Sequence, residues 1–287
     1  MLEQAALWPI LLSALIAVLS RFVVAYRWYI LVKTKSSDIS FSILLHTVFV
    51  SGFLGFFIPG AVGVELVRVY ALARLTDAAL ALSSVLIERL TALIALAAIV
   101  LLGLLVAPVG LPDAVGTSAV IIAALLCVAI LSLFANRIRA LYLAMLSGRM
   151  LAQARTHLEA FLNQIDAFRR APWLMVQLAA LSIGLQLLRV LEGILLAVAL
   201  GIDVELAYLF VIIPAGVLVT MLPISLGGLG VREALYVALF GAIGIDAASA
   251  FTLSFVNFVL GVIVLLMPGA VLYAFGGLAL EQRTRSS

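Results

Sequence analysis

The chain is 287 residues long, 66% of them hydrophobic and only 11% charged, with a net charge of +3 and a mean hydropathy of +1.31. That balance excludes a soluble globular protein, and no stretch combines basic and aromatic residues in the manner of a nucleic-acid surface, so no nucleic acid partner is expected. An integral membrane protein remains, in which each charge needs a reason.

In chain order, apolar runs long enough to cross about 30 Å of hydrocarbon occur near residues 6 to 31, 78 to 107, 114 to 134, 172 to 200 and 247 to 272. None alternates like a barrel strand, so all five are expected to be helices. The start MLEQ lacks a basic n-region and the first run ends in arginines, which predicts a retained helix and no cleaved signal. Two further apolar segments, 41 to 75 and 206 to 242, are interrupted at IPGAVGVE and LPISLGGLGVRE. Pro59 and Pro223 are expected to end the first arm of each, Gly60, Gly63, Gly227, Gly228 and Gly230 to permit a reversal, and new helices to start at about Val64 and Val231. The isolated Gly103, Gly184 and Gly261 are assigned to close helix packing. Residues 137 to 170 are too polar to span, yet Leu151, Leu158, Phe161, Leu162 and Ile165 recur at helical spacing. An amphipathic helix on the cytoplasmic surface is expected there, with a solvated connector as the alternative.

Lysines and arginines between spans collect at Lys33 and Lys35, in the series from Arg137 to Arg170, and at Arg283 and Arg285. The connections around Asp113, around Asp203 and Glu205, and around Asp246 carry acids only. Short basic loops stay cytoplasmic, which places the N-terminus outside and the C-terminus inside a plasma membrane, expected to be the bacterial inner membrane. The first interrupted segment then enters and leaves from the cytoplasm and the second from outside.

The two segments belong to a repeat. Glu65 and Glu233 stand 168 positions apart, as do Arg21 and Arg189, while Asp77-Ala78-Ala79 recurs as Asp246-Ala247-Ala248 and Glu88 answers to Asn257. The expected fold is all-α: a polytopic membrane protein in which residues 1 to 287 form one transmembrane domain of two inverted repeats, each with a broken re-entrant helical hairpin. Repeat one covers about 6 to 107 and repeat two about 172 to 275, with a linker span and amphipathic cytoplasmic helix at about 114 to 170 between them. Inverted repeats with discontinuous helices are a transporter architecture, with the site between repeats near the midplane. The positive ends of the helices after each break are candidates for holding an anion.

A charge within an apolar span costs about 2.5 to 3.5 kcal/mol on insertion scales. Arg21, Arg89, Arg189 and Arg232 face Glu65, Glu88, Glu192 and Glu233, and this set is taken as the candidate substrate-binding group. Arg189 and Glu192, at i and i+3, are expected to pair, whereas the adjacent Glu88 and Arg89 need partners elsewhere. Guanidinium groups suit a phosphate, which they bind through paired hydrogen bonds. Structural ion pairing, with Glu65 and Glu233 capping helix N-termini, accounts for the same charges and stays open. Arg27, Trp28, Tyr26 and Tyr29 are assigned to interfacial anchoring. His46 and His157 lack metal-ligand spacing and Cys127 is the only cysteine, so no metal, cofactor or disulfide is expected.

At PGAVGVELVR (59 to 68), SSVLIERL (83 to 90), LPISLGGLGVREA (222 to 234) and YRWYIL (26 to 31) the sequence resembles the flippase-like transmembrane family of lysylphosphatidylglycerol synthases, which includes the membrane half of the multiple peptide resistance factor. The resemblance covers essentially the whole chain and is most specific at the second glycine motif. It implies movement of lipids between leaflets, and it adds Arg68, Gly228 and Gly230 to Glu88, Arg89, Arg232 and Glu233 as motif positions. Val64 departs from the pattern, standing where relatives often carry a second glycine. No soluble aminoacyl-transferase domain follows, so lipid aminoacylation is not expected and the chain is taken as no enzyme.

The leading expectation is a flippase-type translocator of a phosphate-bearing lipid, its partner an anionic or aminoacylated phospholipid or a polyprenyl phosphate, with a homo-oligomer compatible. The alternatives are an ion-coupled secondary transporter of a small anion and a noncatalytic subunit of a lipid or cell-envelope pathway. An intramembrane enzyme acting on a polyprenyl phosphate is disfavoured, because no Asp-x-Asp metal motif occurs.

Overall fold

A computed structural model describes residues 6–36, 38–58, 62–106, 113–134, 171–221 and 225–277, with short helical pieces between 140 and 163. The expected turns at Pro59, Gly60 and Pro223, most of the amphipathic segment at 137 to 170, and Arg283 and Arg285 lie outside the described residues.

Among the described residues every element is helical. The order is α1 (Leu7–Lys33), α2 (Phe41–Phe56), α3 (Val62–Ala73), α4 (Ala78–Val106), α5 (Asp113–Phe134), α6 (Pro172–Ala199), α7 (Leu206–Met221), a 3-10 turn (Leu226–Gly228), α8 (Val231–Ala242) and α9 (Ala247–Gly276). Four of them, α1, α4, α6 and α9, are long and apolar enough to cross a membrane. At 1.5 Å per residue their 27 to 30 residues reach about 40 to 45 Å. The chain is a multi-pass membrane protein. The interrupted segments form two pairs of shorter helices: α2 ends at Phe56 and α3 begins at Val62, and α7 ends at Met221 and α8 begins at Val231. The 16 residues of α2 and α7 reach about 24 Å and the 12 of α3 and α8 about 18 Å. None of the four matches the roughly 30 Å of a hydrocarbon core by itself. The second helix of the first pair begins at Val62, two residues before the expected Val64, because Val64 fits a helical turn.

Starts and stops follow local chemistry. Pro172 occupies the first turn of α6, where its missing N–H is no loss. Asp246 caps α9: its carboxylate accepts from the Ser249 N–H at 2.9 Å and from the Ser249 hydroxyl. The hydroxyl first, then the backbone N–H, hold this carboxyl below the ordinary aspartate range. A depressed folded-state pKa gives stability that is present above the unfolded value, near 4, and lost as pH falls through the folded one. Asp246→Ala is therefore expected to be less stable than wild type at pH 6, and thermal unfolding of the two should converge as pH falls through the lowered folded-state pKa.

The packing fixes directions. The Ala6 N–H donates to the Ala199 carbonyl at 3.1 Å, whereas Leu31, at the other end of α1, clusters with Leu178 near the start of α6, so α1 and α6 are antiparallel. The α2–α3 pair opens at the Leu31 end: the Phe41 ring lies 5.9 Å from Tyr29, and Leu44, Leu72 and Val85 share a core with Trp28 and Val32. The α7–α8 pair opens at the Ala199 end, where Leu209, Leu239 and Phe240 pack with Leu200 and Leu253. Each pair also crosses to the other half of the chain. The first packs α2 on α9, where the Gly269 backbone meets Phe49 and the Phe56 and Phe258 rings lie 6.2 Å apart. The second packs α7 on α4, where a Cβ on Gly103 would stand 2.9 Å from Phe210.

Gly103 thus serves close packing as expected, but Gly184 and Gly261 do not: a Cβ on either would meet nothing within 4 Å. The anchoring role assigned to Arg27 and Trp28 is also corrected. Both are fully buried, Trp28 donating from its indole nitrogen to Ser84 at 3.0 Å and Arg27 to the Glu88 carbonyl at 2.8 Å. Convergence of α1 and α4 covers them, which no single-helix pattern records.

Candidate functional site

Where the two helix pairs approach each other the bundle holds a cavity of about 300 Å³, walled by α1, α2, α3, α6, α7, the 3-10 turn, α8 and α9. Its charges come from helix periodicity. On α1, Ser13, Ala17 and Arg21 recur every four residues and present one stripe to the cavity; on α6, Arg189, Glu192 and Leu196 do so at i, i+3 and i+7. From the tip of the second pair Arg232 joins them, with Tyr236 one turn on and Asn257 on α9. The tip itself is close to the first pair, a Cβ on Gly227 lying 3.2 Å from the Phe56 ring.

Arg21 and Arg189 make no ion pair with a carboxylate among the described residues. The Arg21 Nε is buried with no hydrogen-bond partner. Arg189 donates to Gln186 Oε1 at 3.2 Å, and Gln186 donates in turn to the Ala92 carbonyl. Glu192 accepts instead from the Ser20 hydroxyl at 3.4 Å, so the expected Arg189–Glu192 pair does not form. The reason is geometric: Gln186, one turn back on α6, is also at i–3 of Arg189 and takes its guanidinium.

Arg232 is held from three sides. Its Nε donates to Ser254 Oγ at 3.0 Å, while its NH2 donates to Glu233 Oε1 at 2.7 Å and to the Ser254 carbonyl at 3.1 Å. The other oxygen of Glu233 accepts the Gly230 N–H at 2.5 Å. The Gly230 N–H at the start of α8 is thus satisfied by Glu233, and among the described residues Arg21 and Arg189 are the cavity arginines that form no ion pair. Three arginines against Glu192 and Glu233 leave the cavity group with one excess positive charge.

The glycines give this tip its shape. Gly228 and Gly230 have φ of +82 and +84, and a Cβ on Gly228 would lie 2.6 Å from Thr220, whereas one on Gly230 would meet nothing within 4 Å. Gly228→Ala is expected to destabilise the fold by roughly 1 to 3 kcal/mol, and Gly230→Ala by less, since only the backbone term applies there. Unfolding of the two variants in detergent measures the difference.

The other expected site residues lie off the cavity. Arg68, buried over the Trp28 ring at 4.1 Å, pairs with Glu88, and Arg89 pairs with Glu65. Both pairs tie α3 to α4, so Glu65 serves an ion pair on the flank of α3. Sequence reasoning missed Tyr236 and Phe258 at the cavity, and Ser254, which holds Arg232. One signal pointed there: the 168-residue offset that links Arg21 to Arg189 carries Arg68 to Tyr236, and Asn257 had already appeared opposite Glu88.

A family model described as the lysylphosphatidylglycerol synthase TM region matches residues 1–269. The chain belongs to that family. No curated protein and no solved structure matches it. Membership gives this lysylphosphatidylglycerol synthase TM-region chain a membrane lipid-related role, with a phospholipid-related membrane substrate. Its arginine cavity has the chemistry for that: guanidinium forks bind phosphate oxygens in pairs, and a low-dielectric surround strengthens each contact.

Proposed function

We propose that this protein is a flippase-type translocator that carries a phosphate-bearing lipid between leaflets, its headgroup held in the cavity by Arg21, Arg189 and Arg232. The observation that carries the reading is that Arg21 and Arg189 line a cavity within a membrane bundle and form no ion pair among the described residues, with the single carboxylate of Glu192 beside them both. A buried cation is costly until an anion meets it, and a lipid phosphodiester supplies one negative charge for the one in excess.

In the same reading the helix pairs α2–α3 and α7–α8 are re-entrant hairpins of two inverted repeats. Their short lengths, their opening at opposite ends of the bundle, the antiparallel α1 and α6, and the exchanged packing of α2 on α9 and α7 on α4 all support it. Breaks at mid-bilayer are tolerated where protein or a cavity covers the freed backbone groups. The basic connections set the N-terminus outside and the C-terminus in the cytoplasm of a bacterial inner membrane, and the chain works by moving its cargo with no covalent chemistry.

Proteoliposomes with fluorescent phosphatidylglycerol, lysyl-phosphatidylglycerol or a polyprenyl phosphate in one leaflet test this. The expected result is transfer of at least one of them above the rate in protein-free vesicles, lost in Arg189→Gln. Uptake of a soluble anion without transfer of any lipid overturns it in favour of a small-anion carrier.

A further inference from the structure

The cavity lining has a charged part, contributed by α1, α6 and α8, and an apolar part on α9. Arg232 marks the first, bonded to Ser254 and with its guanidinium 5.5 Å from the centre of the Phe258 ring. Beyond it the lining continues along α9 through Leu260, Gly261, Val262, Leu265 and Leu266. From Asn257 to Leu266 the helix advances about 14 Å. None of the nine residues from Phe255 to Ile263 is buried, whereas the stretch of α4 one repeat earlier, Leu86 to Ile94, buries Ile87, Glu88, Leu90 and Thr91. Over these two and a half turns α9 packs no residue fully into the core. One face borders the cavity; the other leaves Phe255 and Ile263 42% and 46% exposed on the outer surface of the bundle. Gly261 widens this wall on the cavity side, since no heavy atom lies within 4 Å of the Cβ it lacks and its helical backbone strains no side chain.

Resting on the lipid reading above, we propose that the Gly261 face of α9 is the seat of one hydrocarbon chain of the cargo, and that the absent side chain at 261 sets the width of chain admitted. A soluble anion needs only the charged part of the lining, and the apolar part would then hold poorly bonded water. A hydrocarbon chain covers that surface instead. The charged and apolar parts of the lining match the two parts of one amphipath.

The test uses protein in phosphatidylcholine nanodiscs and two probes: phosphatidylglycerol with a diazirine in one chain, and chainless glycerophosphoglycerol measured by calorimetry. Photolabel is expected on α9 near Gly261. Gly261→Trp is expected to cut labelling at least tenfold while leaving the chainless affinity within twofold, and Arg189→Gln to weaken both. Gly184→Trp controls for bulk, because Gly184 has equal room but does not line the cavity. Gly261→Leu, a smaller change, should lose part of the labelling and serves if the tryptophan variant does not fold. Wild-type labelling elsewhere, or unchanged labelling in both Gly261 variants, overturns the chain seat while lipid transfer still stands. Binding of the chainless probe alone, or of neither probe, removes the lipid reading together with it.

Discussion

Replacing Arg189 by glutamine is expected to reduce lipid binding and transfer about ten- to a hundredfold without lowering stability. A hydrogen bond to a charged group is worth about 1.5 to 3 kcal/mol, and each 1.4 kcal/mol is tenfold in affinity. The stability half of the expectation separates a ligand-holding residue from a structural one. Arg189 hydrogen-bonds only the neutral Gln186 side chain, and Glu192 keeps Arg21 and the Ser20 hydroxyl beside it when Arg189 is removed, while one of two neighbouring cations is relieved. Unfolding temperatures at or above wild type, with transfer lost, are the expected pair of readings. Arg189→Lys keeps a point charge without the planar fork and should fall between the two in binding. A variant that transfers lipid normally, or that loses transfer only because it unfolds, removes Arg189 from the binding group.

Glu88→Gln is expected to do the reverse. It takes the carboxylate from Arg68 and leaves that buried guanidinium, and Arg27 beside it, without a counter-charge. Breaking a buried pair on one side costs about 3 to 5 kcal/mol, whereas replacing both partners by apolar groups of similar size is often neutral. The loss should therefore appear as a lower unfolding temperature in Glu88→Gln and be partly recovered in the Arg68→Met, Glu88→Leu double variant, in which Arg27 alone still lacks its counter-charge. If the double variant is as unstable as the single one, the pair is doing more than neutralising charge between α3 and α4. Together the two experiments divide the intramembrane charges into a group that awaits an anion and a group that closes on itself.

That division was invisible one residue at a time. A glutamate four positions from an arginine, or an arginine in an apolar run, looks alike in either group. Glu88 and Arg89 are neighbours in sequence yet point to different partners on α3, because successive helical positions differ by about 100° in direction. Arg189 and Glu192 looked like a pair and are not, since Gln186 takes the guanidinium first. Glu233 looked like a candidate ligand and proves to be a clamp, closing Gly230 and Arg232 into one rigid tip. Gly261 and Gly103 have the same sequence context, and only the packing of α7 on α4 distinguishes the glycine that is filled from the one that is open.

What the sequence by itself determined is everything that depends on local pattern: membrane residence, the helical class, the long spans to within a few residues, and the two breaks in the apolar segments at 41 to 75 and 206 to 242. Hydrocarbon leaves the backbone so few choices that composition and length suffice for these. Which charges meet was decided only when α1, α6 and α9 came together around the two pairs of shorter helices, because pairing in a low dielectric depends on ångström distances between helices far apart in the chain, and no local period encodes them.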